Sequence, residues 1–143
     1  MSHNRRVNDI VCQIVAGELS TEVVLRTDQV VAFLDHRPVF KGHVLICPVR
    51  HVDTLLDLPD ELMQPLLGAA KRIAAAMGEA FGAEGTFLGM NNVISQSVPH
   101  LHLHVVPRRK GDGLRGFFWP RTRYAEGEEA AYADRLRQAL RPD

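Results

Sequence analysis

With only two cysteines, Cys12 and Cys47, the chain cannot build a disulfide framework, which removes the stapled secreted scaffolds. No apolar run approaches the roughly 20 residues of a transmembrane helix. The N-terminal stretch MSHNRRVNDIVCQIVAGE carries charges but lacks a long apolar segment with a small-residue cleavage site, so it does not read as a signal peptide. Net charge is lacking too: seventeen basic residues balance seventeen acidic ones. No general field then holds a long nucleic acid or an anionic membrane, although a small charged ligand needs only local donors in a pocket. Repeats, low-complexity tracts and linkers are also missing. The expectation is a soluble cytoplasmic protein forming one domain over residues 1–143, large enough to bury about two-thirds of the surface of its unfolded chain.

What is present reads as alternating strands and one long helix. A short helix is expected over 7–16, ending before Gly17. Residues 22–26 and 30–34 are β-rich runs joined by Thr27, Asp28 and Gln29, a hairpin pattern. Residues 42–49 make a third strand that Pro48 limits. From Pro59 to Phe81 the period changes: Leu62, Leu66, Ala70, Ile73, Met77 and Phe81 recur at spacings of four and three, an amphipathic helix. Asp60 and Glu61 favour its positive end. Pro65, inside it, predicts a late start or a kink. Gly82 and Gly85 mark the exit, strands follow at 86–91 and 101–107, and a last helix spans 127–140. This order predicts an α+β domain built on an antiparallel sheet of about five strands, with one long helix and a C-terminal helix.

The chemistry concentrates in SVPHLHLHVVPR, residues 97–108, where His100, His102 and His104 occupy every second position. On a strand they share one face while Leu101, Leu103 and Val105 share the other, so the aliphatic face can pack on the long helix and present the imidazoles to a cleft. Three readings compete. One is an exposed strand face that happens to carry histidines. A second is a metal hydrolase, because histidines at i and i+2 both reach one zinc ion. The third is nucleophilic attack on phosphorus by a neutral imidazole, which a histidine near its ordinary pKa of about 6.5 supplies at neutral pH.

The motif HLHLHVV (100–106), with QSV before it, resembles the histidine-triad nucleotide hydrolases and transferases. AFLDHRPVFKGHVLICPVRHV (32–52) is similar to that family's ribose-binding strand and its successor, and the resemblance covers about residues 8–120. It implies that His102 attacks the α-phosphorus of a nucleotide and forms a nucleotidyl-histidine that water hydrolyses. The other nitrogen of His102 should then be fixed as a donor, most simply to a backbone carbonyl near His100. By the same resemblance His104 and Ser97 hold the non-bridging oxygens and Gln96 contacts phosphate. Asp35 binds ribose, and Asn91 and Asn92 bind ribose or phosphate. His43 packs behind the triad and steadies it. Asp35 also reads as a turn aspartate and His43 as a satisfied core histidine. Histidine rather than glutamine at position 104 favours the hydrolase branch.

Within the resemblance, many bacterial members bind structural zinc through Cys-x-x-Cys and two histidines. Here Asp9 replaces the first cysteine, leaving Asp9, Cys12, His51 and His100 as the candidate ligands. The exchange predicts a weak or absent structural zinc, and the reaction itself requires no cofactor. The loop VIS between Asn92 and Gln96 is shorter and less glycine-rich than the usual version. Arg108, Arg109, Lys110 and Arg115 read either as an attractor for a polyphosphate tail or as a solvated loop. Phe117, Phe118 and Trp119 read as a buried contact. A homodimer with joined sheets is the implied assembly and a small nucleotide the implied partner. The expected activity is hydrolysis of a nucleoside phosphoramidate or dinucleoside polyphosphate. A phosphorylase and a nucleotide-binding interaction protein with negligible turnover are the alternatives.

Overall fold

The computed structural model describes residues 9–114 and 120–140. Residues 7–8, Arg115 and the aromatic run 117–119, on which some of the sequence readings fall, lie outside the described residues. Residues up to Lys110 form one compact unit, and those from Gly111 onward form another.

In the first unit, helix α1 (Ile10–Val15) precedes strands β1 (Val23–Arg26), β2 (Val30–Leu34) and β3 (Val44–Pro48). A 3-10 turn (Leu55–Asp57), the long helix α2 (Asp60–Phe81), β4 (Gly85–Gly89) and β5 (Leu103–Arg108) follow. The strands make one antiparallel sheet in the order β1-β2-β3-β5-β4, so β5 inserts between β3 and β4. The α+β expectation holds, and the β1–β2 turn is tied by Thr27 Oγ1, which accepts from the N–H groups of Gln29 and Val30.

Strand alternation gives the sheet two different faces. Val30 and Ala32, Val44 and Ile46, and Leu103 and Val105 point to one side, where they bury Leu62, Leu66, Ala69, Ala70, Ile73 and Met77 of α2. Val31, Phe33 and Cys47 point to the other and pack on Val11 and Ile14 of α1. On that second face a row crosses the sheet from Phe33 through Leu45 to His104, each opposite the next in register. The fold thus covers one face with a helix of 22 residues and only part of the other with a helix of six.

Helix α2 starts at Asp60 and runs unbroken to Phe81, so Pro65 neither delays nor interrupts it. Pro65 is the sixth residue, and the first four N–H groups of a helix lack partners anyway, so the ring removes one further bond, to the carbonyl of exposed Glu61. Gly82 ends α2 in the left-handed conformation at φ 68°, its N–H returning to the Gly78 carbonyl. Phe81 is half exposed, and its ring covers Gly42 so closely that a Cβ there would lie 2.5 Å from Cε2.

Strand β5 begins at Leu103, later than the pattern of alternating histidines suggests. Residues 97–102 approach it as irregular chain in which Leu101 N–H donates to the Val52 carbonyl and His100 N–H to the Val98 carbonyl. The three imidazoles therefore do not share one strand face. In the second unit, helix α3 (Glu128–Ala139) has no buried residue, and Tyr132 stacks with Tyr124 and lies beneath the Arg135 guanidinium. Among the described residues no helix is long and apolar enough to cross a membrane.

Ile46 is wholly buried at the centre of the helix-covered face. Ile46→Ala should lower unfolding free energy by about 3 kcal/mol in urea titration, the usual cost of such a cavity.

Candidate active site

A cleft of about 410 Å³ opens on the sheet face that α2 leaves uncovered. Ile10, Val11 and Ile14 of α1 wall one side, Phe33 and Leu45 form part of the floor, and Asp35, Ser97, His102 and His104 supply polar groups. Leu19, Ser20, Thr21, His36 and Val98 also line it. The sequence reading missed the apolar lining. The available signal for the floor was the odd-numbered residues of β2 and β3, which alternation must place opposite the α2 face; the α1 wall had none.

His102 Nδ1 lies 2.8 Å from the carbonyl oxygen of His100. A carbonyl only accepts, so Nδ1 carries the proton and Nε2 carries the lone pair. The ring is 8% exposed and lines the cleft. The expected anchoring of His102 by a carbonyl near His100 is therefore present.

A second chain of bonds assigns His104. Val39 N–H donates to His43 Nδ1 at 3.1 Å, which puts the His43 proton on Nε2. That nitrogen is 2.9 Å from His104 Nδ1, which accepts, so His104 holds its own proton on Nε2. Burial, reinforced by the neighbouring His102 and His43 rings, pushes the His104 pKa down to about 4. Burial also lowers His43, against the pull of Asp35. Two rings thus meet in the cleft with their Nδ1 atoms engaged in opposite senses, donating at His102 and accepting at His104, with centroids 5.2 Å apart.

The other candidates divide. Asp35 lines the cleft while its Oδ1 accepts the Arg37 N–H at 2.9 Å, so it is also the turn aspartate. His43 is buried and fully hydrogen-bonded behind His104. Gln96 and Asn92 brace loops. Gln96 donates to the Asp53 carbonyl at 2.6 Å and accepts the Val93 N–H, and Asn92 Oδ1 accepts the Leu55 N–H. Asn91 is exposed and outside the cleft lining. The braced loop holds Val93 and Ser95 at positive φ, 72° and 62°, a strained state for a β-branched residue. Arg109 lies against the Phe81 carbonyl at the end of α2, where the helix dipole favours a cation.

His100 is wholly buried and belongs to a different cluster. Its Nε2 donates to the Pro48 carbonyl at 2.8 Å, so its Nδ1 lone pair faces Asp9 and Cys12. His51 likewise places Nε2 on Asp53 at 2.6 Å and turns Nδ1 inward. Tetrahedral zinc with ordinary ligand distances separates a sulfur from a nitrogen by about 3.6 Å and an oxygen from a nitrogen by about 3.3 Å. Cys12 Sγ is 3.6 Å from His51 Nδ1 and 3.7 Å from His100 Nδ1, and Asp9 Oδ2 is 3.4 Å from His100 Nδ1. Of these four separations, the 2.9 Å approach of Asp9 to His51 is the one that must widen. Asp9, Cys12, His51 and His100 therefore fit a zinc-type cation, with outer hydrogen bonds already fixing both rings. Asp35, His43 and His104 also cluster, but both His43 ring nitrogens are already engaged, Nδ1 by the Val39 N–H and Nε2 by His104.

Comparison with known proteins places the chain in a family. The HIT domain family profile matches residues 16–111. The chain belongs to the HIT domain family. The protein hit of Bacillus subtilis is 38% identical over 115 residues, covering 78% of this chain and 79% of its own. An adenosine 5′-monophosphoramidase of Saccharomyces cerevisiae is 34% identical over 111 residues, covering 78% of this chain and 69% of its own. A zinc-bound histidine triad family protein from Mycobacterium smegmatis superposes with a TM-score of 0.73 at 31% identity, covering 94% and 99% of the two chains.

The buried neutral histidines set a pH dependence. His43, His100 and His104 resist protonation in the folded chain, whereas the unfolded chain takes up protons at these positions near the ordinary value of 6.5. Their contribution is intact above that pH and is lost as pH falls toward 4. Urea titrations should show falling stability across this window, with a shallower fall in His104→Gln.

Proposed function

We propose that the protein is a nucleotidyl hydrolase that cleaves a nucleoside 5′-phosphoramidate or a dinucleoside polyphosphate at the α-phosphorus through a nucleotidyl-His102 intermediate. One observation carries the reading: two hydrogen-bond chains leave a lone pair on His102 Nε2 and a proton on His104 Nε2 at the same cleft. The yeast relative named as a phosphoramidase supports the choice of substrate.

The base would lie along Ile10, Ile14 and Phe33 and the ribose hydroxyls at Asp35, with the α-phosphate between His102, His104 and Ser97. His102 Nε2 forms a bond to phosphorus as the bond to the amine nitrogen, or to the bridging oxygen of the departing nucleoside polyphosphate, breaks. The electron pair leaves with that group, which takes a proton from solvent. His104 donates its N–H to a non-bridging oxygen, where negative charge grows in the transition state. Its low pKa makes it a neutral dipole donor. Water then attacks phosphorus, the P–Nε2 bond breaks, a proton is released, and a nucleoside monophosphate leaves. Every step uses side chains alone. Gln96 and Asn92 serve this reading by holding the strained loop ahead of Ser97.

Strand β4 lies at the sheet edge, which supports a homodimer with continuous sheets as the working form. Equilibrium sedimentation at micromolar protein should give twice the 16.0 kDa chain mass.

His102→Ala should reduce turnover of adenosine phosphoramidate at least about a thousandfold while keeping nucleoside monophosphate binding. Acid-free mass spectrometry of quenched wild type should find the nucleotidyl adduct on residue 102. Equal turnover of the two proteins would leave a binding protein. Acceleration by inorganic phosphate, with a nucleoside diphosphate as product, would make the enzyme a phosphorylase.

A further inference from the structure

We propose that the Asp9–Cys12–His51–His100 centre, holding a divalent cation of the zinc type, is a clasp that fixes helix α1 and the carbonyl governing His102 at the same time. The cleft wall and the nucleophile are otherwise supplied by segments about 90 residues apart in sequence.

Helix α1 is the first argument. Six residues are too few for a helix to persist unaided in water. Its buried side, Val11 and Ile14, packs on Val31, Phe33 and Cys47 and, with Ile10, walls the cleft. Asp9 and Cys12, at the N-cap and one turn on, face His51 and His100. A cation between these four side chains ties α1 to the chain after β3 and to the segment entering β5.

His100 is the second argument. One ring nitrogen donates to Pro48 and the other faces Asp9 and Cys12, so its residue is pinned at both ends of the imidazole. The carbonyl of that same residue receives His102 Nδ1–H. Displacing the His100 ring would release the bond that keeps the lone pair on His102 Nε2.

Asp9 is the third. Its Oδ1 caps α1 by accepting the Cys12 N–H at 2.7 Å while Oδ2 faces the centre. A carboxylate thus performs two tasks that a single sulfur atom cannot, and the helix cap and the metal ligand are one residue. Exchanging a soft thiolate for this harder donor lowers zinc affinity, so occupancy follows the supply of metal.

The effect on nucleotide binding rests on the function proposed above, but the effect on His102 does not. The test compares the full chain loaded with one equivalent of zinc or cobalt(II) with the chelator-treated chain. Cobalt should give the visible spectrum of a tetrahedral site with one thiolate, absent in Cys12→Ala and replaced in Asp9→Cys by the more intense charge-transfer band of a two-thiolate site. Imidazole nitrogen NMR should show His102 as a single Nδ1–H tautomer in the loaded chain and as an exchanging mixture after chelation. Adenosine monophosphate should bind about tenfold more weakly to the metal-free chain. The proposal is overturned if Cys12→Ala keeps a full equivalent of metal, or if the His102 spectrum is the same with and without metal. If the variant does not fold, the chelation comparison on the native sequence decides alone. Absence of monophosphate binding in both states would sink the nucleotide reading and leave the clasp to be judged on His102.

Discussion

One hydrogen bond, from His102 Nδ1 to the carbonyl of His100, governs the chemistry available to the cleft. An isolated imidazole exchanges its proton between two nitrogens and presents a mixture. Here the carbonyl selects one tautomer by accepting at one nitrogen only, and the lone pair is confined to the other. The bond is local, spanning two residues, yet its acceptor is held by contacts from Pro48, Val98, Asp9 and Cys12. The tautomer is thus set by tertiary structure.

The sheet makes that arrangement possible by treating its two faces differently. Helix α2 covers the core of one face, where Val30, Ala32, Val44, Ile46, Leu103 and Val105 are buried. The second face is then free to hold a cleft, and β5 supplies both sides at once: Leu103 and Val105 to the core, His104 to the cleft. Polar groups there are satisfied by one another. Among the described residues no buried side-chain nitrogen or oxygen is without a hydrogen-bond partner. A cluster of imidazoles behind an apolar sheet would otherwise destabilise the fold by a few kcal/mol for each unpaired group.

The parts legible in the sequence are those governed by local periodicity. Strand β2 and helix α2 matched their expected ranges because a continuous β-rich apolar run and the 3.6-residue repeat are properties of the segment itself. The anchoring of His102 was legible because it needs only a carbonyl two residues away. His100 was misplaced because Pro99 and the bond from Leu101 to Val52 hold the chain out of the sheet until Leu103, and no pattern within 97–104 records a partner at Val52. Asn92 and Gln96 illustrate a different limit. An amide side chain donates and accepts equally well toward a ligand or a backbone, and here both hydrogen-bond to backbone groups of nearby loops. The cleft wall of Ile10, Ile14 and Phe33 depends on how α1 returns to the sheet, which residues 16–22 do not announce.

On the function proposed above, the cleft would accommodate a phosphoryl group although the chain has no net charge. Among the described residues lining it there is no lysine or arginine; the donors include the neutral N–H of His104 and the O–H groups of Ser97, Ser20 and Thr21. A guanidinium in that place would bind ground-state phosphate strongly, and would bind it whether or not reaction followed. A fixed neutral dipole interacts weakly with charge that is spread and solvated and more strongly with charge that concentrates on one oxygen in a water-poor cleft. The depressed pKa of His104 belongs to this scheme. Were the ring to gain a second proton, His43 would face it with an N–H of its own, and the bond that aims the donor would be lost. Neutrality at His104 is therefore what keeps the donor aimed, just as the His100 carbonyl keeps the lone pair of its neighbour in place.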